Sequence, residues 1–410
     1  MKIGEFAIEN KTTIDTIRHY MDLSLLTPDK KGSFYEFDKN CQDDYNSIIA
    51  LKQIGFSLAE IQTLIIFERI GRHTGYSRRE TYRAFFENKM KWIDAELERL
   101  QDMKSKLQAT VDSMPDKSIR KQDKAGVPLS VLPLLYCSKC QSSYVLSEGH
   151  IENGEIITGE LKCSCSETLQ IKDGILFGKD FLDPDSCADF DDSFVEDYVQ
   201  TTHIDYLKNL HLSLQWARNN YHFPKSENGI ILELGSGRGF FLRNMLDLFP
   251  KQSIYIAVDY NPNAHRWLKK SLADVVGDKR ILYLCCDFRR IPLRPKTVDT
   301  LVDATGSSNF AFDNSDFLLD SLIPLLKEDA ILHGQYLVFK NFALNTMIPD
   351  SSRKWFIKDE LKSHIQGLGF KQLSEHETSP ISEGGPKESF FVKGEKIYNY
   401  LYIGRLKMKP

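Results

Sequence analysis

Four thiols in two close pairs, Cys137/Cys140 and Cys163/Cys165, have the types and spacing to do chemistry in this 410-residue chain. The 22 residues between the pairs leave room for a hairpin that brings all four sulfurs around one tetrahedral Zn2+. Four thiolates fill every position on such a metal, so its expected role is structural. The N-terminus, Met1-Lys-Ile-Gly-Glu-Phe, shows no apolar export signal, and in a reducing compartment paired cysteines read as metal ligands before disulfides. The second pair is Cys-x-Cys where Cys-x-x-Cys is usual, which shortens one knuckle. Cys41, Cys187, Cys285 and Cys286 are scattered and read as small core residues.

A second constellation starts at Gly229-Ile-Ile-Leu-Glu-Leu234, an apolar run that reads as a buried strand, and continues as Gly235-Ser-Gly-Arg-Gly239. Such a turn lets backbone amides approach a ligand, and a helix beginning at Phe240 adds a favourable dipole. Ser253 to Val258 is the next strand and ends in Asp259, a carboxylate able to accept both hydroxyls of a ribose. Arg280 to Cys286 ends in Asp287, and Thr297 to Val302 ends in Asp303. Ala330 to Phe339 is a fifth strand, and residues 369–373, 390–392 and 400–403 supply the last ones. Strands alternating with helices predict a doubly wound α/β sheet with its ligand at the strands' C-terminal ends.

The elements ahead of these sites are helical. Ile3, Phe6, Ala7 and Ile8 form an apolar stripe, and Thr12 or Thr13 caps a second helix to Tyr20. Lys30 to Phe37 reads as a tight turn with short strands. Two amphipathic helices follow, 38–54 and 57–66, the latter opened by a capping box of Ser57 and Glu60. Ser77 caps a long helix to about Ser113. In it Phe86, Met90, Ile93, Leu97, Leu100, Leu107 and Val111 repeat at heptad spacing, with Lys104 filling the gap. Pairing of this helix with a second copy is the expected use of that seam, against packing on its own domain. Hydrophobic content of 41% and charged content of 27% are those of a globular chain with a core. A net charge of −4 excludes a chain coated with nucleic acid throughout, though not a local contact patch. Residues 1–40 hold six Lys/Arg against seven acids.

Ile3-Gly-Glu-Phe-Ala7, Thr16-Ile-Arg-His-Tyr20, Leu25-Leu-Thr-Pro28 and Ile54-Gly-Phe-Ser-Leu-Ala-Glu-Ile61 keep the order and spacing of a family. The segment resembles the MerR family of bacterial transcription regulators. The resemblance implies a winged helix-turn-helix, a dimer that remodels promoter DNA, and a DNA face carrying Thr13, Arg18, Tyr20, Lys30 and Tyr35. Tyr35 stands where that family usually has a wing arginine, and Lys30 where another arginine is common, which implies weaker or differently shaped DNA contact. The alternative is a helical interaction domain that keeps the fold without the DNA.

Gly159-Glu-Leu-Lys-Cys163 and Ile171-Lys-Asp-Gly-Ile175 resemble small zinc-binding modules that accompany some methyltransferases, certain rRNA guanine methyltransferases among them. Glu233, the Gly235–Gly239 loop, Asp259 and Asp287 resemble the class I S-adenosylmethionine-dependent methyltransferases. The rival NAD fingerprint, Gly-x-Gly-x-x-Gly, has Phe240 in its sixth place here. The methyltransferase resemblance implies that Gly235, Ser236, Gly237 and Gly239 cradle the methionine end of the cofactor, with Glu233 close by. Asp259 would hold the ribose and Asp287 the adenine side. Residues 303–309, Asp-Ala-Thr-Gly-Ser-Ser-Asn, differ from the Asn/Asp-Pro-Pro-Tyr box of amino methylation, and Asp303, His333 and Tyr336 are the candidate bases.

The expected fold class is therefore multidomain: an α winged helix-turn-helix with a coiled-coil helix, a small β zinc ribbon, and an α/β doubly wound, class I methyltransferase-like domain. Expected boundaries are 1–75, 76–114, a linker over 115–130, 131–178 and 179–410. The expected function is a cytoplasmic, homodimeric, promoter-binding regulator, paired through residues 77–113. Its C-terminal domain would bind S-adenosylmethionine or a related small-molecule effector. The alternative is an active methyltransferase acting on a small molecule or rRNA. No membrane span is expected.

Overall fold

A computed structural model describes residues 1–70, 77–114, 126–182, 192–221 and 228–407. Cys187, linker residues 115–125 and the acidic stretch 183–191 lie outside the described residues. The chain forms two compact units, Met1–Lys117 and Ser118–Pro410. No helix among the described residues is long and apolar enough to cross a membrane.

The first unit opens with helix α1 (Ile3–Glu9), which buries Phe6 and Ala7. Thr13 caps α2 (Ile14–Asp22) by accepting a hydrogen bond from the Thr16 amide at 3.1 Å. Strands β1 (Asp29–Lys31) and β2 (Phe34–Glu36) make a two-stranded wing. Asp38 caps α3 (Lys39–Gln53), accepting from the Cys41 amide at 2.9 Å. Ser57 and Glu60 close the expected capping box on α4 (Leu58–Ile70), with the Ser57 amide 2.7 Å from Glu60 Oε2. Phe6, Ile17, Leu25, Ile48 and Leu64 form the core, where the Phe6 and Phe37 rings stack 4.6 Å apart. Helix α5 (Ser77–Ser113) touches that core through Phe86, whose ring meets Phe56 edge-on. Beyond Phe86 its heptad positions are open, with Leu97 52% and Leu107 67% exposed.

The second unit is built on one sheet. Its strands are β3 (Val127–Pro128), β4 (Val145–Glu152), β5 (Glu155–Lys162), β6 (Thr168–Lys172) and β7 (Ile175–Phe177), then two helices, α6 (Asp192–Thr201) and α7 (Ile204–Asn219). There follow β8 (Ile230–Leu234), α8 (Phe240–Met245), β9 (Ile254–Asp259), α9 (Pro262–Leu272), β10 (Arg280–Cys285), β11 (Val298–Ala304), α10 (Gly306–Asp313), β12 (Leu326–Asn341), α11 (Lys358–Gly367), β13 (Phe370–Glu377) and β14 (Lys396–Leu406). The order is β13-β14-β12-β11-β8-β9-β10-β7-β6-β5-β3, with β4 also on β5. Strands β12, β11, β8, β9, β10 and β7 run parallel. All five residues of β8 are buried, which explains its unbroken apolar run. Alternate residues feed two cores, Ile230, Leu232 and Leu234 on one face and Ile231 with Tyr255 and Phe241 on the other. The chain winds outward from β8 to β10, then returns to place β11 on the other side of β8. A crevice opens at such a reversal, beyond the C-terminal ends of β8 and β11.

Two features differ from the sequence reading. The cysteine-bearing hairpins of 131–178 share the sheet of the α/β region, because β7 pairs in parallel with β10, Tyr283 opposite Ile175. Residues 390–392, expected as strand, are a turn. Their apolar pattern reflects packing rather than pairing: Phe391 is buried, while the Glu395 carboxylate accepts the Val392 and Ala343 amides and fixes the bend.

Candidate functional site

The crevice floor is the turn after β8. Gly235 has φ +63°, and a Cβ there would lie 3.4 Å from Gly306 Cα. A Cβ on Gly306 would meet Leu234 Cβ and its carbonyl oxygen at 2.9 Å, so the loops after β8 and β11 touch backbone to backbone. The Ser236 amide donates to Val258 O at 3.0 Å, while its buried Oγ has no partner among the described residues. The Asp259 carboxylate ties the turn to β9: Oδ2 accepts from the Gly237 amide at 2.8 Å and Oδ1 from the Asn261 amide at 2.9 Å. Each oxygen keeps a second lone pair. Asn261 then caps α9, with Pro262 in its first turn.

Glu233 lies beneath the turn and is 1% exposed. Tyr255 Oη donates to its carboxyl at 2.8 Å. Burial pushes the carboxyl up to about 8, with the Asp259 charge acting in the same direction, so it holds a proton at neutral pH. Asp287 is the opposite case. Its carboxylate accepts from Arg289 Nη2 at 2.7 Å and from the Arg289 amide at 2.8 Å, and the guanidinium holds it below its ordinary range. Asp287, Tyr260, Phe288, Phe310, Asn314 and Asp180 line a cavity of about 250 Å³ at the ends of β9 and β10. Tyr260 and Phe288 follow directly on Asp259 and Asp287, a signal the sequence reading passed over. Asp180 and Phe310 carried none, because only the fold brings them there.

Of the three candidate bases, Asp303 and Tyr336 come together and His333 stands apart. The Asp303 Oδ1 accepts the Ser307 amide at 2.8 Å, and burial pushes this carboxyl up to about 6. The Tyr336 hydroxyl sits beside it and is pushed well above its usual range by burial. His333 faces the other side of β12 and stacks on Tyr221 at 4.5 Å. No local pattern pointed to Tyr198, whose ring lies 5.4 Å from the half-buried Arg238 guanidinium of the glycine turn.

The four thiols converge. All four Sγ atoms lie within 4.8 Å of one another, Cys137 to Cys165 at 3.8 Å and Cys140 to Cys163 at 3.7 Å. Tetrahedral Zn–S bonds of about 2.3 Å place sulfurs about 3.8 Å apart, so this donor set fits zinc.

On the first unit, Thr13, Arg18, Lys30 and Tyr35 are exposed. Lys30 and Tyr35 face each other across the wing. Tyr20 corrects the sequence reading. It is 2% exposed, packed against Tyr45, with its hydroxyl 3.2 Å from Lys52 Nζ, so it supports α2 from within the core and has no surface to offer DNA. Its neighbour His19 is exposed.

Residues 1–66 match the family described as MerR HTH family regulatory protein, and residues 46–110 the family described as MerR, DNA binding. Residues 231–329 match the family described as Methyltransferase domain. MerR-type DNA-binding domains and a methyltransferase domain are thus present on one chain. No curated protein matches it in sequence. Among solved structures, the MccD protein is 13% identical over 48% of this chain and 96% of its own, at a TM-score of 0.37. A SAM-dependent methyltransferase from Aquifex aeolicus is 16% identical over 52% and 98%, at 0.33. Phosphoethanolamine N-methyltransferase 2 from Haemonchus contortus is 12% identical over 48% and 53%, at 0.34. The family matches fall on the two parts of the chain separately: the MerR-type matches cover α1 to α5 as far as residue 110, and the methyltransferase match runs from β8 to the start of β12.

Proposed function

We propose that this protein is a homodimeric, cytoplasmic transcription regulator whose methyltransferase domain binds S-adenosylmethionine and passes its occupancy to promoter DNA. The observation that carries the reading is the presence, on one chain, of MerR-type DNA-binding domains and a methyltransferase domain whose sheet reverses its strand order beside β8. In this reading the Gly235–Gly239 turn receives the methionine end, and the Ser236 Oγ, which has no partner among the described residues, gains one there. Asp259 accepts the ribose hydroxyls with the lone pairs left over from the Gly237 and Asn261 amides. The cavity beside Asp287 is lined by the rings of Tyr260, Phe288 and Phe310 and by the amides of Asn309 and Asn314, a mix of stacking surface and hydrogen-bond partners that suits adenine. When bound, the cofactor supplies a sulfonium methyl group. Cys137, Cys140, Cys163 and Cys165 hold a structural zinc. The exposed seam of α5, from Met90 to Val111, pairs with a second copy, and the two-fold axis matches a palindromic site read by α2 and the wing. Ligand occupancy then shifts the two heads between states that bind promoter DNA differently.

One observation favours a second reading, an active methyltransferase. Asp303, at the end of β11 beside the glycine turn, combines a fully buried carboxyl with a neighbouring phenol and a proton affinity near neutrality, which suits a general base. Two assays on the full-length dimer separate the readings: binding to its own upstream DNA with and without S-adenosylmethionine, and transfer of labelled methyl to small molecules or RNA. Absence of DNA binding in both states sinks the regulator, and ligand-dependent DNA binding without methyl transfer removes the enzyme.

A further inference from the structure

The four-cysteine cluster and the cofactor crevice lie in one unit; two ties connect them, and a third holds the cysteine-bearing hairpins to α9. The first leaves the Cys163/Cys165 knuckle. The Cys163 amide donates to Glu167 O at 3.1 Å, and the Glu167 carboxylate receives the ammonium groups of Lys139 and Lys179. Lys179 lies just past β7, in a strap that borders the crevice. The Gly178 amide donates to Cys285 O at 2.9 Å, the Asp287 amide to Lys179 O at 3.2 Å, and the Leu182 amide to Tyr260 O at 2.9 Å. Asp180, in the same strap, pairs with Arg290 and lines the cavity beside Asp287.

The second tie leaves the other knuckle. The Tyr136 amide donates to Pro292 O at 2.9 Å, and the Arg294 amide to Leu134 O at 2.8 Å, so the residues just before Cys137 grip the chain that follows Asp287. The third is Lys269 on α9. It is only 6% exposed and donates to the carbonyl of Asp173, in the turn between β6 and β7, at 2.5 Å. Helix α9 starts immediately after Tyr260 and Asn261. The first two ties end on the wall formed by residues 179–182 and 287–294, and the third holds α9, whose first turn follows Tyr260 and Asn261.

The thiols sit in turns outside the strands of the shared sheet, and a four-thiolate metal would cross-link those turns. We infer that a metal in the four-thiolate site braces the adenine-side wall of the crevice through Glu167 and Lys179, so that metal binding and crevice ligand binding are thermodynamically coupled. The coupling rests on the crevice reading given above, whereas the brace does not. Coupled sites commonly differ by about 5- to 150-fold, and linkage makes the factor the same in both directions.

The test uses the full-length protein, zinc-loaded and after chelation under reducing conditions, with S-adenosylhomocysteine as probe. Stripping the metal should raise amide exchange at Leu182 and Asp287 and weaken the probe at least about fivefold. Reciprocally, the probe should slow zinc loss to a chromogenic chelator. Lys179→Ala, tested zinc-loaded, should keep its zinc stoichiometry yet reproduce both changes, which separates loss of the brace from unfolding of the ribbon. Exchange at Leu182 and Asp287 that ignores both the metal and Lys179 overturns the brace, and equal probe affinity in loaded and stripped protein overturns the coupling. If exchange responds but the probe binds neither form, the brace stands and the crevice reading fails.

Discussion

Replacing Glu233 with glutamine should stabilise the protein at alkaline pH and leave it nearly unchanged in acid. The Glu233 carboxyl is buried under the glycine turn, accepts the Tyr255 hydroxyl, and is pushed from 4.5 to about 8 by burial, with the Asp259 charge adding to it. In the unfolded chain it ionises at its ordinary value. Between 4.5 and about 8 the folded protein therefore carries a proton that the unfolded chain has lost. Stability contributed by the neutral carboxyl is complete below 4.5 and is lost as pH rises through about 8. Each pH step costs about 1.4 kcal/mol, so the window amounts to on the order of 5 kcal/mol. Glutamine keeps the carbonyl that Tyr255 donates to and has nothing to ionise. Urea unfolding of wild type and Glu233→Gln, measured in parallel across this range, should coincide in acid and diverge by several kcal/mol in alkali. Parallel pH profiles for the two proteins would falsify the buried, protonated state of Glu233.

The remaining predictions concern the ligand, the seam and the DNA face. Asp259→Ala removes a carboxylate that holds two backbone amides and, in the proposed function, the ribose. Charge-assisted hydrogen bonds of about 1.5–3 kcal/mol each imply S-adenosylmethionine affinity lower by roughly 100-fold or more in calorimetry, and a change below threefold counts against the assignment. Leu97→Asp with Leu100→Asp should convert the dimer to monomer in sedimentation equilibrium without lowering the monomer's own stability, since both side chains are about half exposed in the single chain. Arg18→Ala should weaken promoter binding at every sequence tested and reduce its salt slope by about one, whereas Tyr20→Phe, a core change, should leave that slope alone.

What the sequence determined by itself was local. The Ser57–Glu60 capping box, the Thr13 cap, the wing between Lys30 and Tyr35 and the long helix from Ser77 depend on residues a few positions apart, and period and cap chemistry report such local structure directly. The glycine turn and the acids at successive strand ends were legible for a related reason. A parallel strand buried on both faces reads as an unbroken apolar run, and the residue after it stands at the crevice. Tertiary structure decided what depends on distant partners. Tyr20 looks polar enough for a surface, but Tyr45 and Lys52 enclose it. Phe390-Phe-Val has strand composition, but Glu395 bends it into a turn. Asp180 and Phe310 reach the cavity beside Asp287 from segments far apart in the chain. The joining of the cysteine hairpins to the methyltransferase sheet rests on β7 finding β10, a pairing across roughly a hundred residues that no local pattern encodes.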